Sequence, residues 1–578
     1  MKNMMLGLIL SLFSISSTTF ALPYKAQEFA VASPSPYSAS VANEIAKSGG
    51  NLFDQTIGVA LALAVTHPYY ASLGGGGFAI IRKNNPGAAP TVDVLDFREI
   101  APMASNRESF IGRGDKAATD GGMASGVPGV PAGLQEMHKK YGKVAWRKLF
   151  APAIRLAEQG FPVSGEWAEQ TKAEFENFTT LGKKTFGRIV LDKSKPPRER
   201  YEPLKAGDLL KQPKLAKALR LLQRKGAAAF YEGAVATDIL AATDATGGIM
   251  KADDLKNYRV VWRAPLKRQW RGYELYLMPL PSSGGLIMAQ GFELLNRLEE
   301  RFGQKAPLSS TEAHLFGETL KLSFAARGQM GDPMGGTLQN DLTEKLLNPE
   351  RLDRLAKLVD DDRAIAVMTS KSPDLKEALT TPESKEKTQT THFSLADREG
   401  NAVALTVTLN GSYGSGVVTE KFGIALNDEM DDFNTQPGKA NQYGLIQGEA
   451  NTVAPGKRPL SSMSPTIIDK DGQFFATLGA PGGPRIASAV WQASVRLISQ
   501  NTNAEDAVTW PRVHHQFLPD TLFHDARRMA PDVLEKLQSF GHMLKDAWIA
   551  KVYVVKRTQD GLIEAAADPR GEAAAGGR

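Results

Sequence analysis

The 578-residue chain contains no cysteine. That excludes disulfides, thiolate nucleophiles and cysteine metal sites, so any chemistry must come from oxygen and nitrogen groups. Histidine is scarce, with eight residues, and no histidine-rich stretch or complete oxygen-ligand pattern calls for a metal. No long lysine or arginine block and no interleaving of aromatic and basic residues is present. A formal net charge of +6 with 23% charged residues therefore describes a mixed surface, not a nucleic-acid binder. No run of 18 uninterrupted apolar residues occurs, which argues against stable membrane insertion. Four glycines, Gly74 to Gly77, lack the lysine and hydroxyl residue of a phosphate loop and the strand-turn-helix setting of a dinucleotide loop. They predict closely packed backbone instead.

The opening MKNMMLGLILSLFSISSTTFALP has Lys2, a short apolar run and small residues ending at Ala21. It predicts a signal peptide over residues 1–21 and an exported protein, periplasmic in a two-membrane cell and extracellular in a single-membrane one. The remaining length exceeds one simple core and allows a single large layered enzyme with elaborations.

The most informative stretch is TQTTHFSLADREGNAVALTVTLN, residues 388–410. Residues 391–397 and 402–408 read as two strands, the second with Val403, Leu405 and Val407 on one face and Ala404, Thr406 and Thr408 on the other. Arg398, Glu399 and Gly400 form a three-residue hairpin loop between Asp397 and Asn401, with glycine at the left-handed position. This register sets Thr390 opposite Thr408, with Cβ atoms about 5 Å apart. Upstream, residues 41–66 read as helical with a turn at Gly49–Asn51, and 92–98 as a strand ending at Arg98. Residues 141–300 read as mostly helical. Residues 309–329 read as a helix capped by Ser309 and Glu312, with Ala313, Phe316, Leu320 and Phe324 as its core stripe. The polar, proline-bearing segment 370–389 predicts an exposed, mobile link, and the final GEAAAGGR a disordered tail.

Taken singly, these features have plain readings: a strand threonine, a surface ion pair at Arg98, a tight turn at Gly482–Gly483. Together, in order, QTTHFSLAD with NAVALTVTLN, DFRE, SGVPGVPAGL, LPSSGG, the acidic corner at 429–432, KRPLSSMSPTI and GAPGGPRI resemble the gamma-glutamyltransferases over roughly residues 28–570. These are N-terminal-nucleophile hydrolases. The resemblance implies an α+β fold, a four-layer αββα sandwich with helical elaboration. It implies a zymogen that cuts itself between Gln389 and Thr390 into a large subunit, 22–389, and a small catalytic subunit, 390–578. The two pieces would share one core as a heterodimer. Thr390 would then be the nucleophile, its own new α-amine the base, since such an amine has an unperturbed pKa near 8. Thr408 would orient it, and the Gly482 and Gly483 amides would hold the oxyanion.

The resemblance further assigns Arg98, Ser461 and Ser462 to a substrate α-carboxylate, and Asn410, Glu429 and Asp432 to the rest of its amino-acid end. A guanidinium fork suits a carboxylate. Tyr443, within 434–448, matches a lid residue. His514 and His515 are structural or peripheral in this reading. The implied substrates are glutathione and other gamma-glutamyl compounds, with water, amino acids or dipeptides as acceptors, and no metal or organic cofactor. Two alternatives stand beside it: a cephalosporin (glutaryl) acylase or polyglutamate-processing transferase, and an exported binding protein on a retired enzyme scaffold.

Overall fold

The computed structural model describes residues 23–177, 180–191, 202–366 and 390–578. The predicted signal peptide, the 370–389 link and Gln389 lie outside the described residues. Two seven-stranded sheets, antiparallel throughout, face one another. The first runs Ala574–Gly577, Phe29–Ser33, Thr391–Asp397, Ala402–Thr408, Gly76–Asn85, Ala88–Asp96, Val261–Arg263. The second runs Tyr24–Ala26, Ile563–Ala567, Tyr553–Arg557, Gln473–Gly479, Thr466–Lys470, Tyr273–Leu277, Leu266–Trp270. Strands from before and after Thr390 share both sheets, so neither half of the chain owns a sheet.

The hairpin adopts the expected register. Thr391 pairs with Val407 and Ala396 with Ala402. Gly400 closes the loop at φ 86°, and its N–H donates to the Asp397 carbonyl. Strand alternation then divides the side chains. Val403, Leu405 and Val407 face an outer layer of helices that includes Tyr37–Lys47, Leu52–Thr66, Val130–Tyr141 and Pro213–Lys225. Ala402 and Ala404 face inward and join the core of the second sheet, whose far side is covered by helices Gly284–Phe302, Ser310–Phe324 and Arg485–Ser499. Each fully buried valine, leucine or phenylalanine contributes roughly 1.5–3 kcal/mol. Helix, sheet, sheet, helix is the αββα sandwich.

Local signals explain several elements. Asn51 and Asp54 form a reciprocal capping box at the start of Leu52–Thr66, a helix buried along its whole length. Ser309 accepts from the Glu312 N–H, but Glu312 turns to the Leu308 N–H and to Arg496, so only half of that box forms. Ala313, Phe316, Leu320 and Phe324 lie in the core. The helix ends at Phe324, with a short 3-10 turn at Arg327–Gln329. Arg82 clamps the sheets together. Its Nε donates to Asp469 at 2.8 Å, and its other nitrogens reach the Gly400 and Gly472 carbonyls.

Residues 141–300 are mostly helical, as expected, but they also supply three strands: Val261–Arg263 and Leu266–Trp270 are edges of the first and second sheets, and Tyr273–Leu277 lies inside the second. On the edge strand Leu266–Trp270, polar outer residues such as Lys267 and Gln269 disguise the alternation. One expectation is overturned. The C-terminal tail is not disordered: Ala574–Gly577 is the other edge of the first sheet, paired with Phe29–Ser33. Its small residues are required there. A Cβ on Gly577 would stand 2.1 Å from the Phe29 carbonyl oxygen, and one on Gly576 would stand 2.5 Å from Ala39.

Candidate active site

Thr390 sits one residue before an inner strand of the first sheet, at a narrow cavity of about 20 Å³. Its Oγ1 lies 3.3 Å from Thr408 Oγ1. The Thr408 oxygen also accepts from the Asn410 N–H at 2.8 Å, which fixes the hydroxyl beside Thr390. The four glycines pack under this floor. Cβ atoms on Gly75 and Gly77 would stand 2.1 Å from the Thr408 and Thr406 carbonyl oxygens, so only glycine lets the strand pass. His392 faces the same interior, but its ring nitrogens bond Thr406 and Ser394. Burial lowers it to about 3, so it is neutral and engaged, not a base for Thr390.

The cavity lining also includes Arg98, Asn410, Glu429, Asp432, Tyr443, Ser461, Ser462 and Gly483. Arg98 follows the strand Ala88–Asp96 and is 1% exposed. It pairs closely with Glu429 and, through Nη2, with Asp432 at 2.6 Å. Burial alone would lower the guanidinium, but Glu429 and Asp432 hold it above its ordinary value. Burial raises Glu429 well above the carboxylate range, with Arg98 opposing and Glu99 and Asp432 adding to the rise. Arg98 thus pairs the cationic part of the pocket with its anionic part. A zwitterion can exchange with that pair without changing the buried net charge.

Gly482 and Gly483 take φ of 133° and 57°, a backbone reserved for glycine, just ahead of helix Arg485–Ser499. Among the described residues neither amide N–H has an acceptor. Gly483 lines the cavity under the Tyr443 ring, while Gly482 stands behind it against Ala550 and Trp548. A pair of unspent N–H groups is the donor set that an oxyanion requires. Ser461 Oγ accepts from the Met463 N–H, and its backbone is held by Ser283 and Pro281, which accounts for the LPSSGG stretch.

The 434–448 loop closes the cavity. Tyr443 donates to the Asn410 carbonyl at 2.7 Å, Asn441 to Asp432 at 3.2 Å, and the Gln442 N–H to Asp431 at 3.1 Å. Burial, then repulsion from Asp432, pushes Asp431 up to about 7. His514 and His515 are buried, lowered by burial, and bonded to Ser488, Gln516 and Asp520, away from the cavity lining.

Two site neighbours escape sequence reading. Glu99 is fully buried behind Arg98, with Nη1 4.0 Å away, and burial pushes it up to about 7 against the pull of Arg98. Arg327, after the helix Ser310–Phe324, donates to Gln447 at 2.9 Å and to Ser462 Oγ at 3.4 Å. Glu99 stands in the DFRE stretch, where the family pattern singles out only Arg98, and Arg327 is one charged residue in an ordinary run; tertiary contacts reveal both. Among the described residues one further group could present metal ligands: His314, Glu318 and His542. It is internally satisfied, since the two rings bond at 2.7 Å and Lys321 stands 2.9 Å from Glu318.

Two facing antiparallel sheets between helical layers, with a threonine at the head of an inner strand, define an N-terminal-nucleophile hydrolase. Comparison with solved structures agrees on the fold: a cephalosporin acylase from Bacillus halodurans superposes with a TM-score of 0.82 over 99% of both chains, at 23% identity. The sequence profile for Gamma-glutamyltranspeptidase matches residues 38–577. The chain is 38% identical to a glutathione hydrolase proenzyme of Escherichia coli over 95% of this chain and 91% of that protein. It is 36% identical to a glutathione hydrolase proenzyme of Pseudomonas aeruginosa over 98% and 97%. The chain belongs to the gamma-glutamyltranspeptidase family.

Proposed function

We propose that this protein is a self-processing gamma-glutamyl transferase and hydrolase acting on glutathione and related gamma-glutamyl amides. We further propose that residues 1–21 direct it to the periplasm, and that cleavage between Gln389 and Thr390 yields pieces 22–389 and 390–578. The observation that carries the reading is the shared cavity. A threonine hydroxyl, backed by a second hydroxyl at 3.3 Å, faces a buried arginine held between two carboxylates.

The chemistry follows from those groups. In the precursor, Thr390 Oγ attacks the Gln389 carbonyl, the peptide nitrogen leaves with a proton, and water opens the resulting ester. Thr390 then carries a free α-amine able to accept the hydroxyl proton. Its Oγ attacks the gamma-carbonyl of the substrate. The negative charge on that oxygen rests on the Gly482 and Gly483 amides, and the departing amine takes the proton held by the Thr390 amine. Water or an acceptor amine then attacks the gamma-glutamyl ester and regenerates the threonine. The α-carboxylate replaces Glu429 and Asp432 on Arg98, with Ser461 and Ser462 beside it, and the α-ammonium takes the freed carboxylates. Asn410 supports that end, and Tyr443 closes over it.

Thr390→Ala tests this directly. Intact mass should show one uncut chain without activity, whereas the unsubstituted protein yields a fragment beginning at Thr390. Two fragments from purified Thr390→Ala would refute self-processing. A glutaryl amide, which lacks the α-ammonium, should be turned over far less efficiently than the gamma-glutamyl amide. Equal kcat/KM would favour the acylase reading instead.

A further inference from the structure

Beside the backbone of Arg98 lies a polar cluster that the steps above do not use. Asp96, the last residue of the strand Ala88–Asp96, is fully buried. Its Oδ1 accepts from the Arg98 N–H at 3.0 Å and from Arg458 Nε at 3.1 Å, and its Oδ2 from Arg263 Nε at 2.8 Å. Arg458 is buried as well. Its Nη2 donates to the Arg259 carbonyl at 2.7 Å, and its N–H to Asp332 at 2.8 Å. Two arginines and two aspartates neutralise one another here, so this group adds no net charge to the pocket in front of it.

Its connections reach both walls of that pocket. Arg458 roots the stretch Arg458–Ser462, and the Pro459 carbonyl accepts from Arg98 Nε at 3.3 Å. Ser461 and Ser462 line the Thr390 cavity together with Arg98. The Arg98 carbonyl is held too, by the Tyr258 hydroxyl at 2.9 Å. One carboxylate oxygen, Asp96 Oδ1, therefore binds both the backbone that carries the guanidinium and the side chain that anchors the two serines. Asp96 and Arg98 precede Thr390 and Arg458 to Ser462 follow it, so their spacing is a tertiary distance. A carboxylate held by a guanidinium on one side and hydroxyls on the other depends on that spacing. An error of about 1 Å in the placement of a bound group can cost roughly a hundredfold in rate.

We propose that Asp96 and Arg458 are positioning residues for substrate recognition: their ion pair sets the distance between Arg98 and the Ser461 and Ser462 hydroxyls, and so makes the pocket selective for a free α-carboxylate. The proposal rests on the gamma-glutamyl reading of the Thr390 cavity.

The test compares a gamma-glutamyl anilide with its α-carboxamide analogue on the mature enzyme. The unsubstituted protein should favour the acid by about a hundredfold in kcat/KM, as two charge-assisted hydrogen bonds imply. Arg458→Lys keeps the charge, but a single ammonium cannot span Asp96 and the Arg259 carbonyl as the planar fork does. It should lower the acid-to-amide ratio about tenfold, through a higher KM for the acid with kcat largely kept. In Arg98→Gln, where the guanidinium to be positioned is gone, adding Arg458→Lys should leave the ratio where Arg98→Gln alone puts it. A ratio unchanged by Arg458→Lys overturns the proposal, and so does a further drop in the Arg98→Gln background. Failure of Arg458→Lys to self-cleave would make the pair a folding element and overturns it too. An unsubstituted protein that treats the two donors alike overturns the gamma-glutamyl reading, and the positioning role with it.

Discussion

Removing the Arg98 guanidinium separates its two duties, neutralising buried acids and gripping a ligand. Arg98, Glu429 and Asp432 are all buried, and Arg98 contacts both carboxylates. Deleting one partner of a buried ion pair typically costs about 3–5 kcal/mol, because the other charge is stranded. We therefore expect Arg98→Gln, made in the uncut Thr390→Ala chain, to lower stability by that order in chemical denaturation. Adding Glu429→Gln removes one stranded acid and should return about 1–3 kcal/mol of the loss. Catalysis should not recover with it. Two charge-assisted hydrogen bonds to a substrate carboxylate at about 1.5 kcal/mol each make roughly 3 kcal/mol, more than a hundredfold in kcat/KM. With Thr390 restored, both Arg98→Gln and the double variant should process normally and lose at least that factor on a gamma-glutamyl anilide. A double variant with nearly full kcat/KM would refute the reasoning, since Arg98 would then be needed only as a counter-ion.

Two more predictions concern pH and the sheet edge. Asp431 is raised from 3.8 to about 7 in the folded state, so between those values the native chain holds a proton that the unfolded chain has released. Stability should therefore fall as pH rises through that window, by at most about 1.4 kcal/mol per unit from this group. Asp431→Asn, which keeps an acceptor for the Gln442 N–H, should raise the melting temperature clearly more at pH 8 than at pH 5. An equal shift at both pH values would exclude titration as the cause. Deleting residues 574–578 removes the strand paired with Phe29–Ser33 and the Arg578–Glu28 ion pair. We expect a clear drop in melting temperature, and an unchanged one would mean that this edge contributes nothing.

Much of this architecture can be read from the residues because local rules and tertiary demands coincide. The hairpin register follows from a period of two and one glycine, so the facing of Thr390 and Thr408 is legible in the order of the residues alone. The Asn51–Asp54 cap and the core stripe from Ala313 to Phe324 are equally local. Other segments lack such coincidence. Of the three strands between 261 and 277, Val261–Arg263 and Leu266–Trp270 are sheet edges, and in the latter solvent-facing polar residues blur the alternation. The C-terminal strand consists of alanine and glycine, selected by the 2.1 Å approach to another backbone and not by hydrophobicity. In the site, Arg98, Glu429 and Asp432 stand in short stretches that a family pattern can flag. Arg327 carries no such signature, since what matters about it is which distant residue it touches, and Glu99, though inside DFRE, matters through its burial behind Arg98.

The alternation of early and late strands bears on what a cut chain can do. A new terminus ordinarily frays, because nothing holds its first residues. The one made at Thr390 begins beside a strand flanked by Phe29–Ser33 on one side and by its own hairpin partner on the other, and that partner is flanked in turn by Gly76–Asn85. A cut there would free an amine without freeing its position. The two pieces would part only if whole sheets unravelled, because strands from both lie side by side.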